Sequence, residues 1–173
     1  MLEEMYPEVL RGSTPNTDTT FRMVDYPVEV LGSSAVAASC ALTAVDEILA
    51  TISIPAGVLG ANSILRIEPF WSFPSSANNK ILKVKINGTT VYNVTRGTGV
   101  TREAPLVVIA NRNSLVSQIQ PYDNTYLVAG TGTATPYTID TSAANTITIC
   151  AQRALGSEAV KLEYYAVMHL VGA

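Results

Sequence analysis

Apolar and polar residues alternate along several short stretches of this chain, with the period of a β-strand that buries one face. Ile48, Ala50, Ile52 and Ile54 alternate with Glu47, Leu49, Thr51 and Ser53. Leu82, Val84 and Ile86 point one way while Lys83 and Lys85 point the other. Asn87-Gly88 follows, and its residue types suit the two positive φ angles of a type I′ hairpin turn. Thr89–Thr95 is the returning strand. Ser63–Phe73 reads as another strand, and Pro69 within it predicts a bulge or an edge position. Leu106–Ala110, Val116–Gln120 and Tyr126–Ala129 read as short strands, and Thr146–Ala151 sets Ile147 and Ile149 on one face. The last strand, Ala159–Val171, is the longest. Val160, Leu162, Tyr164, Ala166, Met168 and Leu170 are expected on its core face, opposite Lys161, Glu163 and Tyr165. About eight to ten strands, with turn signals roughly every ten residues, predict an all-β fold: an antiparallel, jelly-roll-like β-sandwich over residues 46–173.

Residues 1–45 keep no such period. Pro7, Pro15 and Pro27 interrupt them, and Gly12–Thr17 reads as an open loop. Val28–Leu31 could add one strand, and Ser33–Ala44 fits either a short helix or an extended segment. Plain disorder is the bland reading of this stretch. Yet Tyr6, Leu10, Phe21, Met23 and Tyr26 are spaced like anchors, which disorder does not require. The expectation is an extended N-terminal arm that orders against a partner, with the five anchors as partner-binding residues.

Composition changes the picture in one respect. The chain is 47% hydrophobic but only 14% charged, against roughly 25% charged in ordinary soluble domains. So few charges suggest that much of the outside is covered by partners. A net charge of −3, with scattered basic residues, argues against a nucleic-acid partner. The acidic start MLEEMYPEV lacks the pattern of a secretion signal, and no apolar run is long enough to span a membrane. Cys40 and Cys150 are read as free thiols rather than a disulfide. Without a secretion signal, the sequons at Asn87 and Asn93 read as chance in a Thr-rich chain.

Candidate chemistry is sparse. The single histidine, His169, reads as an ordinary surface or edge residue, and no G-x-S-x-G elbow offers it a nucleophile. No Cys/His cluster suggests zinc. Glu68, Glu103, Asp123 and Asp140 cannot be paired across a cleft from sequence and read as a solvated rim. Gly130-Thr131-Gly132 lacks the strand-to-helix setting of a nucleotide loop and reads as a turn. Trp71 and Phe73 share one face of their strand with Phe70 opposite. Core packing is the first use of Trp71 and a sugar platform the second. No cofactor and no enzymatic role are expected.

One stretch resembles a known group. Ile54-Pro55-Ala56-Gly57 with Leu59-Gly60 is followed by the aromatic strand at Trp71. Ala77-Asn78-Asn79-Lys80 then leads into an alternating strand, and Asn111-Arg112-Asn113-Ser114 with Ser117-Gln118 closes the set. Together, from Ile52 to Gln118, they resemble a β-sandwich module of virion proteins in tailed bacteriophages. Residue chemistry gives these motifs scaffold roles: Gly57 and Gly60 permit a tight corner, Asn78 and Asn79 can cap a loop, and Arg112 can hold loop carbonyls. The resemblance implies a structural virion protein, foremost a capsid decoration (cement) protein. Such a protein would be a homotrimer bound through its arm to the major capsid protein or another virion protein. A tail, collar or fibre component and a carbohydrate-binding module are the alternatives.

Overall fold

A computed structural model describes residues 28–121 and 132–172. The five arm anchors and the expected strand Tyr126–Ala129 lie outside the described residues. Twelve strands are described, and no helix accompanies them among the described residues. They are β1 (Val28–Ser34), β2 (Ala38–Ser39), β3 (Glu47–Ile54), β4 (Ile64–Ser72), β5 (Lys80–Ile86) and β6 (Thr89–Arg96). The rest are β7 (Arg102–Glu103), β8 (Val107–Asn111), β9 (Gln118–Gln120), β10 (Thr135–Tyr137), β11 (Asn145–Arg153) and β12 (Lys161–Leu170).

The pairing defines the topology. β1 pairs antiparallel with β12, β3 with β11, β4 with β8, and β5 with β6. These four pairs are what a long hairpin gives when its outermost strands meet each other and its innermost strands meet at the turn. Pairing of β12 with β4 and of β11 with β5 then wraps the hairpin into two sheets. The large sheet runs β1-β12-β4-β8-β9-β10 and the small sheet β3-β11-β5-β6. The result is a jelly-roll β-sandwich. Ile52, Ile54, Ile67, Trp71, Leu82, Val84, Ile147, Ile149, Leu162 and Val167 fill the space between the sheets.

This topology moves the start of the sandwich. Residues 28–45 belong to the arm in the sequence-based division at residue 45. In the structure β1 is the first jelly-roll strand, and Cys40 is buried in the core. Ser33–Ala44 is extended rather than helical, with β2 continuing along β12. The strand is hard to read because β1 is an edge whose Val28 and Val30 face outward, and because a bulge between Val30 and Gly32 breaks its period. Gly32 lies so close to β3 that a Cβ there would sit 3.0 Å from the Ile52 side chain.

Two further bulges reverse expected faces. In β12 the register shifts between Leu162 and Tyr164, so Glu163 is the extra residue. Beyond it Val167 and His169 are buried, while Tyr164, Ala166, Met168 and Leu170 face outward. In β3 a shift opposite Ile149 and Cys150 turns Ile48 outward, leaving it 58% exposed. Pro69 lies in an interior strand opposite Tyr165, close to the β12 bulge. On its other side β4 is bordered by β8 at residues 64–67 and by β7 at 71–72. The stretch 68–70 therefore has no ladder partner there, which accommodates a residue without an N–H. Asn87 and Gly88 have φ of 48° and 80°, as the type I′ turn requires.

Candidate functional site

Both cysteines are free and buried. Burial, and secondarily Glu47, pushes the Cys40 thiol up to about 11. Burial also raises that of Cys150. Since the thiolate is the reactive form, neither is expected to react with Ellman's reagent at pH 8 until the protein is denatured, when two thiols should titrate. Rapid reaction of the native protein would contradict this burial.

The recognised motifs build two corners. Asn111 donates from its side-chain amide to Gly60 O at 2.6 Å, and Ser114 N donates to Ala61 O at 3.1 Å. The Leu59-Gly60 and Asn111–Ser114 motifs therefore form one structure, with Asn113 at φ 51°. Asn111 does the carbonyl-holding expected of Arg112, which is exposed. The second corner is a buried polar cluster that sequence reasoning missed. Lys80 continues the inward series of Leu82, Val84 and Ile86, and its side chain is fully buried. Its ammonium donates to Ser76 Oγ at 2.6 Å and lies 3.3 Å from Glu158 Oε2. Asn78 Nδ2 and Ser76 Oγ donate to Glu158 Oε1 at 2.9 and 2.8 Å. These bonds tie the β4–β5 loop to the β11–β12 loop. The only advance signal was the parity of Lys80 with the core series.

Hydrogen bonds from Asn78 and Ser76, joined by Lys80, hold the Glu158 carboxyl below its ordinary value of 4.5. For Asp46, burial pulls upward, but the bonds from Lys85 and Lys83 outweigh it and the net shift is down. A carboxyl depressed in the folded state adds stability that is complete above its unfolded pKa and lost as pH falls through the folded one. Thermal stability is thus expected to be flat from neutrality to about pH 5 and to fall below about pH 4. A midpoint that rises on acidification through this window would contradict it.

His169 is 1% exposed, not a surface residue. Its Nε2 lies 2.7 Å from Ser63 Oγ and its Nδ1 3.2 Å from Glu29 Oε2. The β12 bulge puts it on the inner face, beside Leu65 of β4 and Glu29 of β1. The set has the order of a Ser-His-Glu relay. However, Ser63 is 3% exposed, its Oγ accepts from Gly60 N at 2.7 Å, and the cavity beside it measures about 10 Å³. That volume holds about one water molecule, with no room for a scissile carbonyl. The arrangement can clasp β1, β12 and the β3–β4 loop together. Trp71 is fully buried and stacks on Tyr92 with centroids 6.4 Å apart, so it is core and offers no sugar platform. Among the described residues, no group of three His, Cys, Asp or Glu is gathered to hold a metal, and no helix is long and apolar enough to cross a membrane.

The two outer faces of the sandwich differ sharply. On the small sheet, Thr51, Ser53, Thr146 and Thr148 face outward beside Lys83, Lys85 and the exposed Ile48, and Asp46 accepts hydrogen bonds from both lysines at 2.8–2.9 Å. On the large sheet, the register aligns Val28, Leu170, Ile64 and Ala110 in one outward row. Val30, Met168 and Arg66 make the next row, which ends at the buried Val108, and Ala166 sits beside Glu68 in the third. Tyr164 and Phe70 form a fourth, with ring centroids 5.2 Å apart. Lys161, Ser72 and Arg102 close the far end. Arg66 and Glu68 pair at 3.2 Å within this apolar surface. Where β4 lacks a neighbour, a groove of about 270 Å³ opens between Arg66, Glu68, Pro69, Pro105, Leu106 and Tyr164.

No protein-family model matches the chain, and no curated protein does. Among solved structures it is similar to the CBM2 module of the evolved Dit of Lactobacillus casei BL23 phage J-1. That likeness has 8% identity and a TM-score of 0.37, over 71% of this chain and 69% of that one. It is similar also to VP2 in the subviral particle of infectious bursal disease virus, with 14% identity and a TM-score of 0.36 over 90% of this chain. The insecticidal delta-endotoxin Cry8Ea1 of Bacillus thuringiensis matches with 14% identity and a TM-score of 0.33 over 82%. The chain spans 36% of the VP2 chain and 19% of the toxin. Likenesses this distant assign no role.

Proposed function

We propose that this chain is a structural protein of a tailed-phage virion, foremost a capsid decoration protein that works by covering and joining surfaces and performs no catalysis. The observation that carries this reading is the apolar outer face of the large sheet. A two-sheet sandwich needs one core, between its sheets, and the Thr- and Lys-rich face of the small sheet is what solvent calls for. A second apolar face across four strands is a surface built for a partner. The low charge of the whole chain and the resemblance of Ile52–Gln118 to phage virion modules support the same role. The anchors Tyr6, Leu10, Phe21, Met23 and Tyr26 give the chain a second means of attachment. Its partners would be sister chains, as a homotrimer, and the major capsid protein or another virion protein, with no nucleic acid and no membrane contact. The virion is then its location. A carbohydrate-binding role is the second reading, and it would have to use the exposed Tyr164 with Phe70 in place of Trp71.

Particles assembled without the chain provide the test. Purified protein should co-sediment with them at saturable stoichiometry and raise their resistance to heat. Failure to bind, with the protein folded, would contradict the decoration role.

A further inference from the structure

We infer that the apolar outer face of the large sheet is the docking site for the N-terminal arm, residues 1–27, of a neighbouring copy of the same chain. The inference rests on the proposed assembly role and names the partner of that face.

Three observations select this occupant. The first is where the arm joins. Val28, the first described residue, is itself a member of the first apolar row, so the arm leaves from an edge of the face it would cover in a sister chain. The second is reach. At about 3.3 Å per extended residue, 27 residues span up to about 90 Å, while the nine residues of β4 cover only about 30 Å. Anchors running from Tyr6 to Tyr26 cover about twice the length of one face. An arm of that reach is long enough to arrive at a neighbouring copy.

The third observation is chemical fit. The arm alternates apolar anchors with acids: Glu3, Glu4, Glu8, Asp18 and Asp25 against only Arg11 and Arg22. The face is largely apolar, its Arg66 is already paired with Glu68, and Lys161 and Arg102 stand at its far end, where the acids of the arm would meet them. The groove beside Pro69 has Pro105, Leu106 and Tyr164 as walls and the Arg66–Glu68 pair at its rim. That combination suits a tyrosine, with an apolar ring and a polar tip. Donation of an arm to the next copy is a heterologous contact, which closes into a ring when the rotation allows. A homotrimer is the simplest such ring above a pair.

The test uses the full chain with the photo-reactive amino acid benzoylphenylalanine replacing Tyr6, and in a second preparation Tyr26. Ordinary and ¹⁵N-labelled protein are refolded together, irradiated and digested. The expected result is cross-links from the arm to the outward residues of β4 and β12, a large fraction of them joining peptides of different isotope. In the double variant Val30→Lys/Tyr164→Lys, whose altered positions are both exposed, the mixed cross-links should fall by about tenfold or more while the melting temperature drops by no more than about 5 °C. Cross-links joining only peptides of the same isotope would overturn the inference by placing the arm on its own sandwich. Attachment to the small sheet, an unaffected yield in the double variant, or no cross-link at all would overturn it as well. No particle is present in this experiment, so its failure leaves the virion role to the co-sedimentation test, and failure there leaves arm docking standing.

Discussion

Lys80→Met is expected to lower the folding free energy by about 3–5 kcal/mol, the cost of removing one partner of a buried ion pair. Methionine matches the length of the lysine, so the loss is electrostatic rather than a cavity. Without the ammonium, Glu158 keeps its bonds from Asn78 and Ser76 but loses the positive charge 3.3 Å from its Oε2. The double variant Lys80→Met/Glu158→Gln should recover much of the loss, because the amide removes the uncompensated charge while its oxygen still accepts from Asn78 and Ser76. Urea denaturation of the two variants measures both effects. A single-variant change within about 0.5 kcal/mol, the range of exposed sites, would mean that the lysine reaches water.

Leu162→Ala is expected to cost about 2–5 kcal/mol, as truncation of a buried leucine does. Tyr164→Ala, two residues along the same strand, should cost only about 1 kcal/mol in the unassembled protein, the scale of its ring contact with Phe70. Simple alternation puts both residues on one face. The bulge at Glu163 separates them, leaving Leu162 2% and Tyr164 48% exposed. Comparable losses at the two positions would mean that β12 runs without the bulge.

The same irregularities mark the limit of what the sequence revealed. Where strands are regular, as in β4, β5 and β11, period two placed the buried residues correctly and the Asn87-Gly88 turn was legible from residue type alone. One extra residue in β1, β3 or β12 reverses every side chain beyond it, and nothing in the local composition announces it. His169 was misread for that reason: the β12 bulge turned a presumed edge histidine into the core. The Lys80 cluster went unread because a charge is normally assigned to solvent, although the parity of Lys80 matched its apolar neighbours. β1 was taken into the arm because its outward face is apolar and its inner face carries Glu29 and Gly32, the reverse of the usual pattern. A truncation meant to remove only the arm therefore has to end before Val28, since cutting at residue 40 would also delete β1.

The most direct test of the central claim is a cryo-EM map of the virion that the chain is proposed to join. The account predicts a jelly roll on the particle surface, with the outer rows of the large sheet covered by protein and the threonine-rich face of the small sheet open to solvent. A particle lacking this chain, or one in which Val30, Met168 and Tyr164 face bulk solvent, would contradict it.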